Sequence, residues 1–153
     1  MITLESVAAD LADAIERTLP AWVERCVFDL VRATGRELDD EVRAAAGVAG
    51  ARCVADVGPR VRALLGADID DQRSNPLALI RQAVPYPTAV LAHFGVPAVQ
   101  RDGFAEERFP DDVYDLTPAG FADVDPDLHE LGLAWGAAKA HTHLRRRREE
   151  GLR

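Results

Sequence analysis

Leu4, Val7, Ala8, Leu11, Ile15 and Leu19 recur at steps of three and four residues, with Glu5, Asp10, Asp13, Glu16 and Arg17 between them. This spacing predicts an amphipathic helix, and Pro20 predicts its end, because proline lacks the backbone donor that would continue the ladder. A second helix is expected at once, since Trp22, Val23, Cys26, Val27, Leu30 and Val31 line one face and Gly35 reads as its cap. The third pattern is the longest: Leu38, Val42, Ala45, Ala46, Ala49, Cys53, Val57, Val61, Leu64 and Leu65 precede Gly66. Its middle, residues 44–51, is almost without side chains, which permits close approach of another helix. Gly47 and Gly50 each cost a helix about 1 kcal/mol relative to alanine, so packing should compensate. Pro59 predicts a kink or a break, although the apolar register continues across it.

Residues 68–74 are polar and read as a loop. Asn75 followed by Pro76 is the N-cap and first-position signature of a fourth helix running to about Val84. Pro85-Tyr86-Pro87 reads as a turn into a short helix over residues 88–94, capped by Gly95. From residue 96 to 125 periodicity is weak, and short helical turns are expected after Phe109 and after Thr117-Pro118. Asp125-Pro126 repeats the cap signature and opens a last helix over residues 127–147. Leu128, Leu131, Trp135, Ala138 and Thr142 form its buried stripe. Gly132, Gly136 and Ala140 form a second, smooth stripe, expected at a close helix contact with the glycine-rich middle of the third helix as its partner. The pattern predicts an all-α single domain of five or six helices, with the third and last at its centre. A length of 153 residues suits one domain with a core that needs no disulfide or metal.

Residues 75–126 hold seven of the nine prolines and six of the nine aromatic rings, so this stretch is neither a flexible linker nor one regular helix. Its apolar content predicts order through tertiary burial, with the segment wrapped across the helices. Rings and polar groups fixed in that way make a binding surface, for which Tyr86, His93, Phe94, Arg101, Phe104, Asp111, Asp112, Tyr114 and Asp115 are the candidates. His93 is expected beneath the aromatic cluster. Asp111 or Asp112 would lie near Asp115 on one helical face and could form a carboxylate pair, but nothing nearby supplies a nucleophile or a phosphate loop.

Other chemistry is narrowed by exclusion. Asp123, Asp125 and Asp127 imitate a calcium loop, but Leu128 and Ala134 stand where its glycine and glutamate belong. His93, His129, His141 and His143 lack zinc-ligand spacing, so no metal and no cofactor is expected. Cys26 and Cys53 fall on apolar helix faces and read as free buried thiols. The net charge of −8, from 26 acidic and 18 basic residues, disfavours nucleic acid as a partner. Lys139 is the only lysine, and the basic residues concentrate in a C-terminal tail, residues 144–153, where Arg145, Arg146, Arg147 and Arg148 could dock an acidic partner. Ten acidic residues between Asp102 and Glu130 could pair with them within one chain or between two. No apolar run reaches 18 residues and the N-terminus carries no leader pattern, so a cytoplasmic location without membrane contact is expected. The expected function is protein binding or regulation, with residues 86–114 presented to a protein partner and a homodimer as a further arrangement. The alternatives are a small enzyme or ligand-binding protein with a pocket in residues 86–115, and a nucleic-acid-associated protein acting through the arginines.

Overall fold

Pro20 does not end the first helix. In the computed structural model, which describes residues 3–67, 75–96, 98–99 and 114–151, α1 runs without interruption over Leu4–Ala33. Proline inside a helix costs about 3 kcal/mol. Ile15 and Leu19 before it and Trp22 and Val23 after it are all buried on one face. Burial of each large apolar side chain contributes about 1.5–3 kcal/mol, so continuity of the buried face outweighs the lost backbone bond. The two helices expected from the sequence are therefore one. Thr3 and Ser6 form a reciprocal capping box at its start, and Gly35, at φ 83°, takes the left-handed conformation just past its end.

The second helix, α2, spans Asp40–Leu65 and likewise continues through Pro59. Asp39 caps it, its carboxylate accepting from the Val42 amide at 2.9 Å. α1 and α2 lie antiparallel, Gly47 facing Glu24, Gly50 facing Pro20 and Gly58 facing Glu16. At the closest point a Cβ on Gly50 would stand 3.1 Å from the Pro20 carbonyl oxygen and 3.2 Å from its Cα. The glycine-rich middle of α2 thus serves the crossing with α1, and not one with the last helix as the sequence pattern suggested. Arg62 reinforces the pair, donating to Glu16 at 2.9 and 3.0 Å and to Asp13 at 2.5 Å.

α3 covers Pro76–Ile80, a 3-10 turn covers Arg81–Ala83, and α4 covers Pro85–His93. The expected turn at Pro85 and Pro87 is instead the first turn of α4, where the N–H groups that proline lacks would have had no helical partner. Gly95, at φ 79°, follows its end. β1 (Ala98–Val99) and β2 (Tyr114–Asp115) pair in parallel, Ala98 opposite Tyr114, a two-residue bridge that leaves the class all-α. α5 (Phe121–Val124) is the turn expected after Thr117-Pro118, and α6 runs over Pro126–Gly151. The turn expected after Phe109 and the loop at 68–74 lie outside the described residues.

The larger core joins α1, α2, α3 and α6 through residues such as Leu11, Ile15, Leu19, Val57, Ile80 and Leu128. A smaller one joins Val27 and Val31 of α1, Val42 and Ala46 of α2, and Leu91 of α4. α6 docks through Leu128, Gly132 and Trp135. Gly132 abuts the Phe121 ring, where a Cβ would approach to 2.5 Å, whereas a Cβ on Gly136 would meet nothing within 4 Å. The close contact expected along Gly132, Gly136 and Ala140 is therefore confined to Gly132. From Gly136 onward no residue of α6 is buried.

Candidate functional site

The run of alanines in α2 has two sides. One carries Gly47 and Gly50 against α1; the other carries Ala44, Ala45, Val48 and Ala49, which leave an open channel beside α4. Pro85, Tyr86, Ala89 and Val90 form the opposite wall, and the concavity between the two helices measures about 570 Å³. Methyl-sized side chains on α2 create the space. α4 is held at the distance that keeps it open by Ile80, Val84 and Leu91, which are buried in the cores beneath.

Val48 sits in this channel with 54% of its surface exposed. It lies among Ala44, Ala45, Ala89 and Val90, so its exposed surface joins an apolar concavity and is not an isolated one. The lining offers few polar groups. Arg52 stands at one end and makes no ion pair among the described residues. The Tyr86 hydroxyl donates to the Asp56 carboxylate, which ties α4 to α2 and fixes the ring as a wall of the channel. Chiefly through that hydrogen bond, the phenol is pushed up to about 12, so it stays protonated at neutral pH.

Among the described candidates, His93 and Phe94 lie apart from Tyr86. His93 lies seven residues further along α4, roughly 10 Å away by helical rise. Its side chain is 70% exposed, its Nε2 3.9 Å from Glu41, and its ring edge-on to Phe94 at 5.0 Å. It is thus solvent-facing, not covered by an aromatic cluster as expected, because the last turn of α4 turns it outward beside Glu41. Phe94 is stacked instead under the Arg36 guanidinium, 4.6 Å from the ring centre. Arg101, Phe104, Asp111 and Asp112 lie outside the described residues, and Tyr114 and Asp115 are described only through the backbone pairing of β2. Arg145, Arg146, Arg147 and Arg148 belong to α6 itself, which remains helical to Gly151; Arg145 and Arg146 line a concavity of about 530 Å³ beside Thr3, Leu4 and Glu5.

Cys26 and Cys53 are free, and burial pushes both thiols up to about 12, which suits packing and not nucleophilic chemistry. Among the described residues no three metal-ligating side chains converge, and no helix is long and apolar enough to cross a membrane. The channel itself was missed by periodicity. A signal was present in Val48, which falls off the inward stripe of Val42, Ala46, Ala49, Cys53 and Val57. No protein-family model, curated protein or solved structure matches this chain, so a functional reading has to rest on its geometry.

Proposed function

We propose that this chain is a protein-binding domain whose docking face is the channel between α2 and α4, with Tyr86 as the residue shared with the surface expected from the sequence. The observation that carries the reading is Val48, more than half exposed at the centre of an apolar concavity. Small-molecule pockets combine enclosure with several convergent polar groups, whereas this lining supplies Arg52 and a tyrosine hydroxyl already engaged by Asp56. Two helical walls with alanines between them suit a partner helix that inserts aliphatic anchors at i, i+3 or i+4, and i+7. From Ala44 to Arg52 the floor extends about 12 Å, room for two turns of such a helix. Arg52 at its end favours an acidic residue next to the last anchor. The same proposal places the protein in a reducing, cytoplasmic compartment, supported by its two free thiols.

Selection of helical peptides from a displayed library tests the reading. Selected sequences should carry spaced aliphatic anchors with an acidic flank, bind with micromolar affinity, and lose at least about tenfold on Val48→Glu. Selected peptides that bind Val48→Glu as well as the parent chain would refute it.

A further inference from the structure

α6 carries a second apolar face that the fold leaves uncovered. Leu128, Gly132 and Trp135 point inward. At about 100° per residue, Leu133, Ala137, Ala140 and Leu144 fall within roughly 40° of the direction opposite Trp135. All four are exposed, Leu133 by 58% and Leu144 by 57%. Together with Val48 these leucines are the exposed large hydrophobic residues among those described. Their spacing of four, three and four residues is that of a two-helix seam. Glu130 and Arg147 extend the seam by three residues at either end, are exposed, and make no ion pair among the described residues.

The order of these side chains makes the seam complementary to itself when reversed. Placed antiparallel on a second copy, Ala137 faces the partner's Ala140, Leu133 faces the partner's Leu144, and Glu130 faces the partner's Arg147. Each layer is repeated by the two-fold axis. A parallel pairing would instead set glutamate on glutamate and arginine on arginine. Alanines in the two central layers let the backbones approach to about 8 Å, at the short end of helix packing, and the leucines close over both ends. The charged pairs fix direction and register, the role such flanking pairs have in coiled coils.

We infer that this face of α6 is a homodimer interface, in which α6 of one chain packs antiparallel on α6 of a second, with Glu130 paired to Arg147 across the axis. The occupant is a second copy because the charge order matches its own reversal. The contact spans about 26 Å from Glu130 to Arg147. One helix pair of that length lies at the low end of interface sizes, so the dimer is weak, with a dissociation constant on the order of 10 µM. It lies apart from the α2–α4 channel, so both surfaces can be occupied together.

Sedimentation equilibrium over about 5–500 µM, at low salt so that the paired charges are not screened, tests this. The parent chain should pass from monomer to dimer. Glu130→Arg alone and Arg147→Glu alone should each weaken association at least about tenfold, and the double exchange should restore it to within about threefold. Both are surface positions, so circular dichroism and melting of the variants at low concentration should match the parent chain. Val48→Glu should leave association unchanged, which separates this proposal from the docking role of the channel. A parent chain that stays monomeric at the highest concentration would overturn the inference. So would single exchanges without effect, as parallel pairing or another interface would give, or a double exchange that fails to restore the dimer.

Discussion

Gly50→Ala and Gly136→Ala should have opposite effects on stability. Both glycines lie inside helices, so replacing either by alanine removes a propensity penalty of about 1 kcal/mol. At Gly136 the new methyl enters open space, so the full gain of about 0.5–1 kcal/mol should appear. At Gly50 it meets the carbonyl oxygen, Cα and Cβ of Pro20 at 3.1, 3.2 and 3.4 Å. Two of these are backbone atoms, which cannot rotate away, so α1 and α2 must separate by a few tenths of an ångström along a face that carries the core. Overpacking of that kind costs about 1–3 kcal/mol, leaving Gly50→Ala destabilised by up to about 2 kcal/mol net. For a chain of this length 1 kcal/mol moves the melting temperature by about 2–4 °C. Urea and thermal unfolding followed by circular dichroism at low micromolar concentration should separate the two variants by about 1–3 kcal/mol. If Gly50→Ala gains as much stability as Gly136→Ala, the close crossing at Pro20 is wrong.

Asp56→Asn should bring one tyrosine ionisation down from about 12 toward its ordinary 10, read by ultraviolet titration; an unchanged titration would show that Asp56 does not hold the Tyr86 phenol. The native chain keeps protons on Cys26, Cys53 and Tyr86 to about pH 12, whereas the unfolded chain loses them near 9 and 10. Stability should therefore be fully present below pH 9 and fall as pH rises from 9 to 12; unfolding free energies that stay level over that range would contradict it. Leu128→Ala should cost about 2–5 kcal/mol and Leu133→Ala less than about 0.5 kcal/mol, the difference between a leucine with no exposed surface and one on the open face of α6.

The class of the fold was legible because the apolar spacing of three and four persists through α1, α2 and the first half of α6. The caps were legible too: Asn75, Gly35 and Gly95 stand where the chain needs a side-chain acceptor or a left-handed residue. The prolines misled in two ways. Pro20 carries a local penalty that tertiary burial overrides, and Pro85 and Pro87 fall in a first turn, where the penalty does not arise. Glycine spacing on α6 could not say which glycine meets a neighbour, because that depends on where Phe121 comes to rest. Of the candidate channel, the sequence singled out Tyr86 as an aromatic residue among prolines, but its partner Asp56 and the alanine floor belong to α2, far away in the sequence. A groove made by absent side chains leaves little periodic signal, and Val48 was its one visible mark.

The most direct test of the channel as the docking face is photocrosslinking in the native host with a benzophenone amino acid at Val48, compared with the same probe at exposed Arg17 on α1. The account predicts discrete adducts to another protein from position 48, absent from position 17 and lost when Ala45→Glu is added to fill the channel with charge. Adducts only to a second copy of this chain, the same adducts from both positions, or none from position 48 would contradict it.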